Sequence, residues 1–388
     1  MKIGILTFHS QLNYGGVLQC WALVQSLKGM GHEVVVVDRW ITPDNGLLEH
    51  GYNHGWKPLI KLLLRTVTLC GDFAVWLRVR RTKRFVKSLG LTNYHFHDWK
   101  DAPNDLGIDC LVVGSDQVWH GGDWGDPRPY LLEGAPQIKA IAYAASFGMK
   151  TLLPEIDYAA GFRRFSAISV REAEGIGLVE SAGAKAAHVV DPTLLVSREV
   201  YDKLGKYKKR EKHVVCYFLG ERIEDQLNRV VEWAKRTGRH VTIISANGYM
   251  HPFPRTPGVL LKNLSKRFFD FLASSHVRIV SSCGPKEFYR AFSEADECLT
   301  DSFHAVMFSS ICGCNLRFVR PADTWRKPMF ARVEEFAQSF VSGSVFAEDL
   351  DSAMSSLDED GRIEFDDAAI SDARQRSAAW LRTAVSAC

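Results

Sequence analysis

The alternation of apolar and polar positions predicts short buried strands separated by helices in the first half of the chain. Lys2–Phe8 is an apolar run, apolar residues recur at helical spacing from Val17 to Met30, and Glu33–Asp38 is a second apolar run. A strand, a helix and a strand in this order imply a parallel sheet with a right-handed crossover. Further buried strands are predicted at Asp109–Gly114, Lys139–Ala145, Ala167–Val170 and His188–Val190.

A charged stretch without sustained periodicity, residues 197–212, separates this pattern from a second α/β pattern. Strands are predicted there at His213–Leu219, His240–Ser245, Val277–Val280, Glu297–Thr300 and Asn315–Val319. A chain of 388 residues is also too long for one ordinary core. We therefore predict an α/β protein with two Rossmann-like domains and parallel sheets: residues 1–196, a linker at 197–212, residues 213–365, and a terminal helix at 366–388.

Polar residues follow several strands of the first domain, at the edge where open α/β sheets bind ligands. Asp116, Arg171 and Asp191 each come at or just after the end of a predicted strand. An arginine there can hold a carboxylate or a phosphate in a bidentate grip. Its alternative is a structural salt bridge, for instance with the neighbouring Glu172.

The loop after the first strand contains Asn13 and Tyr14 at the same predicted edge. The loop lacks the GxGxxG pattern, so no dinucleotide fingerprint is present. It is either a ligand-binding loop or an ordinary connection between a strand and a helix.

The stretch from Asp296 to Arg317 combines a strand, a helix start and a histidine. We expect Asp301 and Ser302 to cap the helix that follows, with a side chain accepting from the unpaired N–H groups of its first turn. His304 falls in that turn, where the helix end attracts anions. This arrangement predicts an anion-binding catalytic corner, and the alternative is a buried turn with a satisfied core histidine.

The overall composition is that of a soluble globular protein, with 46% hydrophobic and 24% charged residues. A net charge of +3 gives no nucleic-acid signature. Nine scattered cysteines lack zinc spacing, which favours reduced thiols in a cytosol and predicts no metal site. No apolar window is long enough to span a membrane.

A basic helical hairpin is predicted at about residues 57–89, within the first domain and broken near Gly71–Asp72. It contains nine Lys or Arg residues against one acid between Lys57 and Lys87, interleaved with apolar residues. Such a hairpin can lie on an anionic membrane surface. The alternative is a helical pair with a solvated basic face.

Seven segments, taken together and in order, resemble the polysaccharide pyruvyl transferase family over about residues 2–335. The matching segments are ILTFHSQLNYGGVLQCWAL, VVGSDQVW, IAYAASFG, AISVREAEG, VVDPTLL, GPKEFY and TDSFHAVMFSSI. The chain departs from the family at Gly16 and Trp21, where Ala and Tyr are frequent, and at Ala305, where Gly is frequent. These departures leave the acceptor open.

The resemblance implies two domains that face each other across a cleft, as in GT-B glycosyltransferases. It also implies transfer of a pyruvyl group from phosphoenolpyruvate to sugar hydroxyls, giving a cyclic ketal. Phosphoenolpyruvate is then the donor substrate, and no cofactor or metal is required. The sugar would belong to a surface polysaccharide or to its lipid-linked precursor, and no nucleic acid takes part.

The resemblance places His304 as the general acid or as a donor to the leaving phosphate. Arg171 is expected to clamp the donor, with Ser302 and Arg332 sharing that task. Asp116 is a further catalytic candidate: it and Asp191 are expected either to contact the acceptor hydroxyls or to orient Arg171, and which residue is the base stays open. The residues expected on the acceptor side are Asn13, Tyr14 and Asp191.

A lipid-linked acceptor would explain the basic hairpin, and we expect a cytoplasmic protein with peripheral contact to the inner face of the plasma membrane. Two other functions stay open at this point. One is a sugar-nucleotide glycosyltransferase of the same architecture, and the other is a non-catalytic glycan-binding protein. The sequence does not specify the acceptor sugar, the hydroxyl pair, the ketal stereochemistry or the oligomeric state.

Overall fold

A computed structural model describes residues 1–9, 12–39, 70–121, 125–219, 227–245, 276–320, 327–359 and 361–388. In chain order the strands are β1 Lys2–Leu6, β2 Glu33–Arg39, β3 Leu91–Phe96, β4 Cys110–Val113, β5 Ala140–Ala145, β6 Ala167–Val170, β7 Ala187–His188, β8 His213–Phe218, β9 His240–Ser245, β10 Val277–Val280, β11 Glu297–Thr300, β12 Asn315–Val319, β13 Val341–Ser342, β14 Phe346–Ala347 and β15 Glu364–Phe365. The α-helices are α1 Tyr14–Gly29, α2 Cys70–Lys87, α3 Tyr158–Phe162, α4 Glu174–Ser181, α5 Pro192–Leu195, α6 Arg198–Tyr201, α7 Leu227–Thr237, α8 Pro285–Glu294, α9 Phe303–Cys312, α10 Lys327–Phe340, α11 Leu350–Glu359 and α12 Asp367–Ser386.

The chain divides into two compact units, each built from more than one segment. The first unit contains Met1–His50, Lys83–Val200 and Asp366–Cys388, and the second contains Gly51–Thr82 and Tyr201–Phe365. Helix α2 therefore contributes residues to both units, and the terminal helix α12 belongs to the first. The stretch predicted as a linker begins with helix α6, and the division falls at that helix, after Val200.

The first unit contains a seven-stranded parallel sheet in the order β3-β2-β1-β4-β5-β6-β7. This is the Rossmann order with one strand added, and the strand order reverses between β1 and β4. The central strands are buried throughout, with every residue of β4 and β5 inaccessible. Continuous burial requires apolar runs, because both faces of a parallel sheet are covered.

The second unit contains a six-stranded parallel sheet in the order β10-β9-β8-β11-β12-β14. Its strands follow the same Rossmann rule, and the strand order reverses between β8 and β11. The short strands β13 and β15 form a separate antiparallel pair. The prediction of two Rossmann-like units with parallel sheets is therefore confirmed.

A disulfide between Cys110 and Cys388 corrects the prediction that the thiols are reduced. Cys110 begins β4, and Cys388 follows the terminal helix α12, 278 positions later in the chain. Helix α12 packs on the first unit, where Ser377 Oγ accepts from the Val190 N–H at 3.0 Å. The fold thus brings together two cysteines whose spacing in the sequence gave no indication of a pair.

Helix α2 is the described part of the predicted basic hairpin. It begins at Cys70, close to the predicted break, and residues 57–69 lie outside the described residues. Arg80, Arg84 and Lys87 are exposed along one side of it, whereas Arg78 is only 1% exposed. Within the described residues, no helix combines the length and the apolar content that crossing a bilayer requires.

Candidate active site

Asp116 lies just beyond β4, at the point of the first sheet where the strand order reverses. Its φ of 71° is in the left-handed region, which aspartate tolerates better than most residues. Its backbone carbonyl accepts from the Val118 N–H at 2.7 Å and from the Ser146 N–H at 3.1 Å. Its Oδ1 accepts from the Gln117 N–H at 3.0 Å. The loop therefore holds the Asp116 carboxylate in one position at the ligand-binding edge.

Arg171, at the end of β6, lies among three carboxylates in the first unit. Its Nη1 donates to Asp191 Oδ2 at 2.8 Å, its Nε donates to Glu172 Oε1 at 2.9 Å, and its Nη1 is 3.8 Å from Asp116 Oδ1. Burial lowers the pKa of Arg171, but the three carboxylates outweigh that effect and leave the pKa raised. One buried cation thus joins the ends of β4, β6 and β7.

Each of the two carboxylates bonded to Arg171 has a second partner. Ser146 Oγ donates to Glu172 Oε1 at 2.9 Å, and Thr193 donates to Asp191 Oδ1 through both its backbone N–H and its hydroxyl. A donor clamped by the Nε and Nη1 atoms of Arg171 would have to displace these carboxylates. The geometry therefore favours Arg171 as the residue that positions Asp116 and Asp191.

The loop before α1 packs beside Asp116. Asn13 Oδ1 caps α1 by accepting from the Gly15 N–H at 3.0 Å and the Gly16 N–H at 3.3 Å. Tyr14, the first residue of α1, is only 1% exposed. A methyl group at Gly16 would lie 3.1 Å from Asp116 Oδ2, so this loop closely approaches the carboxylate. The structure thus brings the predicted acceptor residue Asn13 near Asp116, Arg171 and Asp191.

In the second unit, the connection between β11 and α9 also lies where the strand order reverses. Ser302 is the N-cap residue by position, but its side chain makes no capping hydrogen bond. Asp301 Oδ1 instead accepts from the Leu219 N–H at 2.6 Å and ties the end of β8 to the end of β11. The prediction that these side chains cap α9 is therefore wrong. Asp301 is drawn to the neighbouring strand, and Ser302 holds the cap position with its backbone.

His304 and Arg332 both contact the ring of Phe303. The His304 ring centre lies 5.4 Å from that of Phe303, in an edge-on arrangement. The Arg332 guanidinium lies 4.9 Å from the same ring centre, within cation–π range. His304 is 8% exposed and Ser302 is 3% exposed. The second unit therefore groups the predicted donor residues Ser302, His304 and Arg332 around the start of α9.

Phe303, Arg39 and Tyr130 were not singled out from the sequence. Phe303 joins His304 to Arg332, a role that spacing alone does not show. Arg39 ends β2 and fits the rule that polar residues at strand ends mark this edge, so the sequence contained a signal for it. Tyr130 comes from a short 3₁₀ helix, Arg128–Leu131, and only the fold brings it to the sheet edge.

Among the residues that the structure describes, no group of three or more His, Cys, Asp or Glu side chains has the arrangement of a metal site. The chemistry available in the described part is that of carboxylates, arginines, a histidine and a helix N-terminus. Carboxylates can accept protons from hydroxyl groups, and the other groups can bind an anion.

Both units are thus Rossmann-like folds with polar side chains at the reversal point of the sheet, which is where such folds bind small ligands. The family model of the polysaccharide pyruvyl transferases matches residues 13–321, and the chain belongs to that family. A search of functionally characterised proteins found no match to the sequence.

Solved structures with a related fold have low sequence identity to this chain. The UDP-GlcNAc 2-epimerase from Methanocaldococcus jannaschii is 12% identical, with 92% of each chain covered and a TM-score of 0.46. The ADP-heptose LPS heptosyltransferase II of E. coli is 11% identical, with 84% of this chain and 87% of that chain covered and a TM-score of 0.35. At these scores the neighbours carry no information about substrate.

Proposed function

We propose that the protein transfers the pyruvyl group of phosphoenolpyruvate to two hydroxyls of a sugar and so forms a pyruvate ketal. Family membership supports the reaction class. The observation that carries the assignment of residues is the Asp116–Arg171–Asp191 cluster, because it holds carboxylates where acceptor hydroxyls need a base. Phosphoenolpyruvate is the donor substrate, and the scheme uses no other cofactor.

The proposed reaction has balanced bonds and protons. A general acid protonates the methylene carbon of phosphoenolpyruvate, which leaves positive charge at C2 and a new methyl group. One sugar hydroxyl attacks C2 and gives its proton to a base. The bond between C2 and the bridging phosphate oxygen then breaks, and phosphate leaves. A second hydroxyl attacks C2 and loses its proton. The products are the cyclic ketal and inorganic phosphate.

The donor is assigned to the second unit. The first turn of α9 supplies backbone N–H groups and a positive helix end, which suit a phosphate, and Ser302 contributes its hydroxyl, since its own N–H donates to Thr300 Oγ1. Arg332 supplies a positive charge against the ring of Phe303, with its guanidinium 4.9 Å from the ring centre. His304, in the same turn, is the proposed general acid or the donor of a hydrogen bond to the leaving phosphate.

The acceptor is assigned to the first unit. Asp116 is the proposed base because Arg171 holds it less closely than it holds Asp191. Arg171 Nη1 is 3.8 Å from Asp116 Oδ1 and 2.8 Å from Asp191 Oδ2. Arg171 orients Asp116 and Asp191 through its Nη1. The proposed acceptor contacts are completed by the loop that contains Asn13 and Tyr14.

A lipid-linked acceptor and peripheral membrane contact are a further part of the proposal. The described part of the hairpin supports it with three exposed cations, Arg80, Arg84 and Lys87, spaced to lie on one side of α2. Anionic lipids attract such a stripe. Arg81 does not join it, because its Nη1 donates to the Ser282 carbonyl and its Nε pairs with Glu287.

The test is a titration of the protein with phosphoenolpyruvate, followed by thermal unfolding and calorimetry, with UDP and GDP in parallel. A ligand at about 100 times its dissociation constant stabilises the folded state by about 2.7 kcal/mol. We expect saturable stabilisation by phosphoenolpyruvate alone, lost in His304→Gln and kept in the exposed control His95→Gln. Stabilisation by a nucleotide but not by phosphoenolpyruvate would indicate a sugar-nucleotide glycosyltransferase instead.

A further inference from the structure

Arg39, the last residue of β2, is a buried arginine without a carboxylate partner among the described residues. Arg39 is 3% exposed, and its Nε is buried without a hydrogen bond to a described residue. The adjacent carboxylate, Asp38, is bonded to His9 Nε2 at 3.1 Å. Burying a charge is costly unless an opposite charge compensates it. Within the described part of the chain, Arg39 therefore lacks the counter-charge that Arg171 has.

Tyr130 fixes the position of the Arg39 guanidinium. The guanidinium carbon lies 4.9 Å from the centre of the Tyr130 ring. The Phe8 ring packs edge-on against Tyr130, with the two ring centres 5.1 Å apart. The Tyr130 hydroxyl is buried, and among the described residues its one polar partner is the adjoining Arg39 guanidinium, at less than good hydrogen-bond geometry. Burial raises the pKa of Tyr130 to about 12, so the hydroxyl stays protonated and can donate. A buried cation and a buried O–H donor thus occur side by side.

The cluster lies at the same sheet edge as the proposed acceptor site. Strand β2 neighbours β1, and β1 neighbours β4, so the ends that carry Arg39 and Asp116 are two strands apart. Two strand spacings amount to roughly 10 Å. The Asp116 carboxylate also acts electrostatically on Tyr130 and adds to the rise in its pKa. A saccharide whose hydroxyls lie at Asp116 can therefore reach Arg39 with a group on the neighbouring sugar unit.

From these observations we infer that Arg39 and Tyr130 form an anion subsite for the acceptor, which takes a phosphate or carboxylate about one sugar away from the hydroxyls that are converted to the ketal. A guanidinium binds both anions through two parallel N–H bonds, and the Tyr130 hydroxyl adds a third donor. The inference rests on the proposed function for the identity of the hydroxyl site. It adds that the acceptor is a charged saccharide.

The test measures anion binding to the full chain by calorimetry, with saturating phosphoenolpyruvate present so that the donor site is occupied. Inorganic pyrophosphate represents a phosphate-linked acceptor and glucuronate represents an acidic sugar. We expect one of the two to bind, with its dissociation constant raised about tenfold or more in Arg39→Gln, which corresponds to about 1.4 kcal/mol or more. Tyr130→Phe keeps the ring that stacks on Arg39 and should weaken binding less.

Two control variants separate this inference from the proposed function. Arg163→Gln removes an exposed arginine of the first unit that has no part in either site and should leave anion binding unchanged. His304→Gln should abolish phosphoenolpyruvate binding while pyrophosphate or glucuronate binding persists. If phosphoenolpyruvate does not bind at all, the proposed function fails, yet the dependence of anion binding on Arg39 is still measured.

Absence of binding by both anions at millimolar concentration would overturn the inference, and so would a folded Arg39→Gln variant with wild-type affinity. Circular dichroism establishes whether that variant folds. If it does not fold, Arg39→Lys decides, because lysine keeps the charge and loses the two parallel bonds. Weakened but measurable binding in Arg39→Lys supports the subsite, and undiminished binding contradicts it.

Discussion

Arg171 Nη1 donates a 2.8 Å hydrogen bond to Asp191 Oδ2, and both residues are almost fully buried. This bond joins the end of β6 to the end of β7 in the first unit. Removing one member of a buried pair leaves an uncompensated charge, which is more costly than the pair itself. The bond therefore makes Arg171 essential both to the fold of this edge and to the orientation of the carboxylates.

Arg171→Gln should lower the free energy of unfolding by about 3–5 kcal/mol, because three carboxylates lose their shared cation. Denaturant unfolding measures this change. The matched control is Arg128→Gln, whose partner Asp126 lies on the surface at 3.3 Å, and it should cost about 1 kcal/mol or less. Equal costs for the two variants would show that the Arg171 cluster is not a buried charge network.

Gly114→Ala should disturb the loop that carries Asp116. Gly114 has a φ of 104°, and a methyl group there would lie 2.5 Å from the Tyr143 carbonyl oxygen. We expect a loss of about 2–5 kcal/mol, from the left-handed backbone and from the clash together. Gly183→Ala is the control, since its φ is 81° and no atom lies within 4 Å of the added methyl.

Thermal unfolding of both variants measures the difference. Gly183→Ala isolates the cost of the backbone conformation, about 1–2 kcal/mol. We expect Gly114→Ala to be clearly less stable than Gly183→Ala and to lose transferase activity. Matching stabilities would mean that the backbone near Tyr143 yields without cost.

Reduction of the Cys110–Cys388 disulfide should destabilise the protein by about 2–5 kcal/mol. The bond joins cysteines 278 positions apart and holds the end of α12 on the first unit. Thermal unfolding with and without a reductant measures the effect. Cys388→Ser should unfold like the reduced protein and should not respond to reductant. A wild-type protein that is equally stable in both conditions would contradict this prediction.

The exposed basic stripe on α2 should contribute to binding of anionic vesicles. Replacing Arg80, Arg84 and Lys87 with Gln removes three charges, each worth about 1 kcal/mol near an anionic membrane surface. Cosedimentation with phosphatidylserine-containing vesicles measures the loss. The control replaces three exposed lysines outside α2, Lys203, Lys206 and Lys208, and so removes the same net charge. Equal cosedimentation of both triple variants would leave α2 no specific role.

Strands with buried faces were the most predictable part of the fold. Strands β1 and β4 are continuous apolar runs because neighbouring strands and helices cover them. Strand β3 was missed, since its sequence, LTNYHF, is largely polar and its residues are mostly partly exposed at the sheet edge. The pairing of Cys110 with Cys388 depends on where α12 packs, which no local pattern records.

The residues of the candidate site were more predictable from the sequence than the hydrogen bonds that they form. The rule that polar residues at strand ends mark the ligand edge brought Asp116, Arg171 and Asp191 together. It did not show that carboxylates already engage Arg171, because that depends on side-chain directions at neighbouring strands. The same limit applies to Asp301, whose local sequence favours capping α9 but whose carboxylate bonds to Leu219 of another strand.

The most direct test of the central claim is an assay of phosphate release from phosphoenolpyruvate, with charged and lipid-linked saccharides supplied as acceptors. The account predicts one phosphate released for each pyruvate ketal formed, with the ketal methyl group detected by NMR. It also predicts loss of both products in His304→Gln and in Asp116→Asn, and retention of both in His95→Gln. Ketal formation that persists in the folded His304→Gln and Asp116→Asn variants would contradict the account.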